Sequence, residues 1–144
     1  MKAEAFLKRL KHDDIVAAIR EAEAKTSGEV RVFISRKEVA DPVETAKEHF
    51  VRLKMAETRE RNGVLIFVAP AAHKFAVIGD VEVHKKCGDG FWSELTKEMS
   101  GYFRESKFSQ GIIHGVKKAG KLLAEHFPRR PDDKNELSDQ VERD

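Results

Sequence analysis

Apolar residues gather most densely at positions 64–69 (V-L-I-F-V-A) and again at 75–78 (F-A-V-I), two runs rich in β-branched and aromatic side chains. Short uninterrupted runs of this kind, bounded by turn-forming residues, predict strands buried on both faces. Pro70-Ala71-Ala72 between them is short enough for a hairpin-type turn, so the two are expected to pair antiparallel in the middle of a sheet. Upstream, residues 29–35 alternate Val30, Val32 and Ile34 against Arg31, Phe33 and Ser35. That period of two predicts a third strand, nearer an edge.

The remaining apolar positions recur at helical spacing. Ile15, Val16, Ile19 and Ala22 share a face, with Asp13 or Asp14 in the first turn and Thr26-Ser27-Gly28 as a stop. Asp41-Pro42-Val43-Glu44 carries a cap, a proline at the first helical position and a reciprocal glutamate, and Val43, Ala46, Phe50 and Leu53 continue as one face. A strand, a crossover helix and a second strand in that order predict a parallel pair. Phe91, Trp92, Leu95, Met99, Tyr102 and Phe103 outline another helix. A last one, capped by Ser109, runs through Ile112, Val116, Ala119, Leu123 and Phe127. Gly111, Gly115 and Gly120 on it predict close backbone packing against a neighbour. The fold expected is α/β: a three-layer α/β/α sandwich with a small mixed central sheet of at least three strands and about four helices.

At 144 residues the chain suits one domain. Residues 1–12 read as a lead-in, 13–127 as the domain, and 128–144, with few apolar residues and many charges, as a mobile tail. The net charge of +2 comes from 27 basic and 25 acidic residues scattered without a basic block, which argues against nucleic acid. No stretch approaches a membrane span and the N-terminus lacks the continuous apolar segment of a signal peptide, so a cytoplasmic monomer is expected. With Cys87 alone, no internal disulfide can form.

The phosphate-loop, dinucleotide, H-E-x-x-H and G-x-S-x-G signatures are all missing. Cys87 has Ser93, and not arginine, six residues on, and Gly79-Asp80 is followed by Val81-Glu82 where an aspartyl-phosphate enzyme wants a second aspartate. What remains is an acidic loop over residues 79–90. Asp80, Glu82 and Asp89, with Asn62 and backbone carbonyls, offer the hard oxygen donors that calcium or magnesium takes. With the first two strands parallel and the third antiparallel, Asp80 leaves the sheet at the end where Glu29 and Asn62 begin it, and Asp41 lies at the other end. Simpler roles compete: Asp41 and Asp89 as helix caps, Asp80 as a turn former. His84, Cys87 and Asp89 make a weak zinc pattern without a fourth ligand.

Five segments in order resemble the TPM domain: T-S-G-E-V-R-V at residues 26–32, R-N-G-V-L-I-F-V-A at 61–69, F-A-V-I-G-D at 75–80, Gly88-Asp89, and F-S-Q-G-I at 108–112. The family takes its name from a thylakoid lumen phosphatase-like protein, a photosystem II repair factor and a receptor modulator. The resemblance implies an α/β/α sandwich with an acidic groove that holds calcium in some members, and acid phosphatase activity in some. Carried over by position, Asp80 and Asp89 match the groove, Glu29 the glutamate that opens one strand, and Asn62 the asparagine that opens the next. Where relatives place a second glycine shortly after Gly79, this chain has Val81-Glu82. The expected type is the compact, stand-alone bacterial form. Three functions follow as expectations. The first is a divalent-cation site made by Asp80, Asp89, Glu82, Glu29 and Asn62. The second is metal-dependent hydrolysis of a phosphomonoester, with Asp80 or Asp89 as base and Lys85 and Lys86 close in sequence. The third is a non-catalytic module read by a protein partner.

Overall fold

The computed structural model describes residues 2–131 and 137–144. In chain order it contains α1 (Ala3–Arg9), α2 (His12–Glu23), β1 (Glu29–Ile34), α3 (Pro42–Arg52), β2 (Gly63–Ala69), β3 (Lys74–Gly79), α4 (Val81–Arg104), α5 (Phe108–His126) and β4 (Glu142–Arg143). The sheet has the order β3-β2-β1-β4. β1 runs parallel to β2, with Glu29 opposite Gly63, and β3 returns antiparallel, with Gly79 opposite Val64. Every residue of β1 and β2 is buried, because helices cover both faces.

Alternation along the strands sorts the core into two layers. Val30, Val32, Ile34, Val64, Ile66, Val68 and Val77 face the side packed by α1, α2, α4 and α5, through Phe6, Ile15, Ile19, Leu95, Met99 and Ile112 among others. Phe33, Leu65, Phe67, Ala69 and Ala76 face the other side, filled by Ala46 and Phe50 of α3 and by Met55. The result is an α/β sandwich with an open mixed sheet, as the periodicities predict.

Several elements differ from the sequence expectation. α1 lies within the stretch taken as a lead-in, yet Phe6, Leu7 and Leu10 are buried in the main core. β1, expected near an edge, is covered on its outer side at Phe33 and Ile34 by β4. Part of the tail thus returns to the sheet; residues 132–136 of that tail lie outside the described residues. The acidic stretch after β3 is helical, not a loop. α4 starts at Val81 and is interrupted only at Gly88, whose φ of 71° and ψ of 175° leave the helical region. Glycine alone adopts that combination without strain. At α5, Ser109 is not the cap; its hydroxyl accepts from the Lys11 N–H at 2.9 Å, tying α5 to the start of α2.

Asp41 does cap α3, accepting from the N–H groups of Val43 and Glu44 at 3.1 and 3.2 Å. Asp41→Ala is expected to cost about 1 kcal/mol, the usual worth of such a cap, in a urea melt. An unchanged midpoint would show that the exposed cap is replaced by water. No helix among the described residues is long and apolar enough to cross a membrane.

Candidate functional site

The register brings Glu29, Asn62 and Asp80 to one end of the sheet. Glu29 and Gly63 open β1 and β2 side by side, and the Asp80 N–H donates to the Gly63 carbonyl at 2.9 Å as β3 leaves. β2 lies between the other two strands, so the polar groups at this end fall into two clusters with Asn62 between them.

On the β3 side, Asp80 caps α4 by accepting from the Val81 N–H at 2.7 Å. Its two carboxylate oxygens also take a forked ion pair from Arg61, with Nε and an NH2 nitrogen each at 2.9 Å. Such a fork is the geometry at which guanidinium binds carboxylate best. The Asp80 side chain is 3% exposed and that of Arg61 45%, so the arginine is a lid over a buried acid. Arg61 holds φ at 52°, a left-handed turn just before Asn62 that aims the side chain back over the end of the sheet. Glu82, one turn into α4, pairs with Lys85 at 3.2 Å. Asp89 is exposed and sits beyond the Gly88 interruption.

On the β1 side, Glu29 and Glu23 form a buried carboxyl pair, 1% and 4% exposed. Glu23 closes α2 and accepts from the Val30 N–H at 2.9 Å, taking the place a neighbouring strand would hold on the open edge of β1. Burial first, then the hydrogen bond with Glu29, pushes the Glu23 carboxyl up to about 9; the Val30 N–H pulls the other way. Near neutral pH the Glu23 carboxyl therefore keeps its proton, beside Glu29. A hollow lined by Arg20, Glu23, Ala24 and Arg129 opens beside them.

Between the clusters, the Asn62 side chain is buried and donates from Nδ2 to Ser27 Oγ at 3.1 Å. Its Oδ1 finds no donor. Three other buried side-chain atoms share that condition among the described residues: Arg31 Nε, Thr58 Oγ1 and Trp92 Nε1. Asn62 Oδ1 is the one oxygen of the four that the sequence places among candidate ligands.

Of the five predicted residues, then, three stand at one end of the sheet, in two clusters with Asn62 between them, Glu82 is one turn into α4, and Asp89 is set apart. Among the described residues no three His, Cys, Asp or Glu side chains gather as a metal cage. His84 and Cys87 lie a helical turn apart on α4, His84 against the Trp92 ring with centroids 5.8 Å apart, and burial pushes the Cys87 thiol up. Sequence reading missed Arg61 and Glu23. Glu23 was findable, since it stands four residues after Ile19 on the buried face of α2. Arg61 carried no such signal, because its partnership depends on a turn geometry that periodicity does not reveal. A cavity of about 440 Å3 lies away from these groups, lined by Phe6, Phe75, Phe103 and Phe108 with Lys74 and Arg104 among others.

Fold and site together define a small α/β sandwich domain whose polar chemistry is collected where two parallel strands begin and an antiparallel one ends. Comparison with known proteins agrees. The family model for the TPM domain matches residues 1–122, and the chain belongs to that family. The solution NMR structure of the BA42 protein from the psychrophilic bacterium Bizionia argentinensis is similar at 37% identity and a TM-score of 0.85, covering 92% of each chain. The N-terminal domain of a protein from P. gingivalis, also solved by NMR, shares the fold at 17% identity and a TM-score of 0.59, over 80% of this chain and 73% of that one. A search among curated proteins finds no match.

Proposed function

We propose that this TPM domain binds a divalent cation, calcium before magnesium, where β1 and β2 begin, with Asp80, Asn62 and Glu29 as oxygen donors and Glu82 beside them. The observation that carries the reading is Asn62 Oδ1, a buried acceptor without a donor, placed between two clusters of carboxyl groups. The donors are all hard oxygens, and calcium accepts irregular mixed sets of these where magnesium demands a near-regular octahedron. Family membership supports the same reading. Asp89 is left out of the donor set because the Gly88 interruption separates it from the rest.

As folded, the positions a cation would neutralise are held by the chain's own charges. Arg61 covers Asp80, and a proton covers the Glu23 and Glu29 pair. Cation binding therefore competes with both. Arg61→Ala is expected to tighten calcium binding roughly tenfold, about 1.4 kcal/mol of lost competition, and Asp80→Asn to abolish it, both read by calorimetric titration. Affinity should also fall as the pH is lowered, since protons compete for the same oxygens. Heat silence at millimolar calcium in the wild type, or weaker binding in Arg61→Ala, would overturn the proposal. Hydrolysis of a phosphomonoester ranks behind binding, because the guanidinium nearest the groove is already bound by Asp80 and offers no open anion seat.

A further inference from the structure

The outer edge of β1 is closed in two ways. Near its start the Glu23 carboxyl takes the Val30 N–H, and near its end β4 pairs in parallel, Phe33 with Glu142 and Ile34 with Arg143. The segment that carries β4 is held by its acids. Asp139 pairs with Arg20 at 2.7 Å, Glu142 with Arg31, and Asp144 accepts from the Ser35 hydroxyl at 2.6 Å and the Arg36 N–H at 2.7 Å. Between the acids, Val141 packs on the main core. The edge thus reads a linear pattern, acid-x-apolar-acid-x-acid, written here as D-Q-V-E-R-D.

Two features mark this segment as a weak occupant of a stronger site. Only two of its residues are paired as a strand, and the arginines that meet Asp139 and Asp144 are 64% and 56% exposed, where solvent screens ion pairs. Arg31 is the opposite case. Its side chain is 7% exposed, Glu142 meets an NH2 nitrogen only, and Nε is left buried without a partner. A carboxylate that met both nitrogens would form the stronger forked pair, which this chain's own segment does not make.

We propose that the outer edge of β1 is a docking site for an extended acidic segment of a partner protein, which adds to the sheet as a strand, and that residues 139–144 occupy it as a displaceable stand-in. Main-chain pairing supplies the affinity and Arg20, Arg31, Arg36 and Ser35 the selectivity, the usual division in strand addition. The occupant is a peptide with acids at the first, fourth and sixth positions and an apolar residue at the third. The site is separate from the cation proposal and does not depend on it.

The test uses the full chain and a fluorescein-labelled peptide of residues 137–144, L-S-D-Q-V-E-R-D. A tethered segment competes at an effective concentration near millimolar, so wild type should bind the peptide poorly. Glu142→Lys with Asp144→Lys releases the tethered copy, and this variant should bind the peptide at least tenfold more tightly by fluorescence anisotropy. Binding should fall at least tenfold again with a peptide carrying lysine in place of Glu142, with Arg31→Met, or with the exposed-site variant Arg20→Glu, which leaves the core untouched. Equal peptide affinity in wild type and released variant overturns the proposal, as does binding indifferent to Arg20→Glu. In the unaltered chain, amide NMR must show contact between Ile34 and Arg143; its absence, or exchange of the segment between two copies in a dimer, also overturns it.

Discussion

Replacing Glu23 by glutamine is expected to stabilise the domain at pH 8 by about 2–4 kcal/mol and to leave it nearly unchanged at pH 5. The buried carboxyl has its value raised from 4.5 to about 9, by burial first and then by the hydrogen bond with Glu29, with the charges of Glu29 and Asp139 adding to it. Folding therefore takes up a proton across that window. The stability tied to it is complete below pH 4.5 and is lost as pH rises toward 9, at about 1.4 kcal/mol per pH unit for a full proton. The lower figure expected for the variant allows for the presence of Glu29 beside that carboxyl. Glutamine keeps the acceptor for the Val30 N–H and carries a fixed donor where the carboxylic acid had a removable one. His49, whose value burial lowers, gives a slope of opposite sign below about pH 6.5, but it is common to both proteins and cancels in the difference. Urea melts of both proteins at the two pH values read the effect. A variant as sensitive to pH as the wild type would mean that the pair is not the titrating element.

Gly120→Val should act in the opposite direction and destabilise the domain by about 3 kcal/mol, the upper end of what overpacking costs. α2 and α5 cross so closely here that a Cβ on residue 120 would stand 2.5 Å from the Cβ of Ala22 and 3.3 Å from its Cα. Neither atom can rotate away, so the helices must separate, opening the contact that buries Ile19 and Leu123. The gain in helix propensity over glycine, under 1 kcal/mol, does not offset this. Exchanging the two residues, Ala22→Gly with Gly120→Ala, should recover most of the loss caused by Gly120→Ala alone. Thermal melts of the two singles and the double decide it; strictly additive effects would show that the close approach is not the cause.

The sheet was legible because its signals are local. Two apolar runs joined by Pro70-Ala71-Ala72 lead to β2 and β3, and the strand, helix and strand order leads to the parallel pair. From those directions alone, Glu29, Asn62 and Asp80 fall at one end. What the chain concealed depends on contacts far apart in sequence. The helical start of α4 was hidden by Gly88 and Gly90, which read as loop, although Val83 is buried and anchors that turn. Arg61 reaches Asp80 across a turn of unusual backbone conformation. The polar segment 137–144 had no periodicity to betray it, since its partners are the arginines of α2 and β1.

The strand order also sets an expected order of assembly. β2 and β3 are joined by a four-residue connection, residues 70–73, and close a small loop, so their pairing is cheap in entropy. β1 must wait for α3 to bridge to β2. The contacts of the C-terminal segment, such as that between Ser35 and Asp144, 109 residues apart, are expected to form late, after the strand they rest on. The edge that closes last has the fewest neighbours to hold it shut. β4 is therefore expected to come away first when the native protein opens locally, and β2, at the centre, to exchange its amides only on unfolding of the whole domain, a contrast that amide hydrogen exchange reads directly.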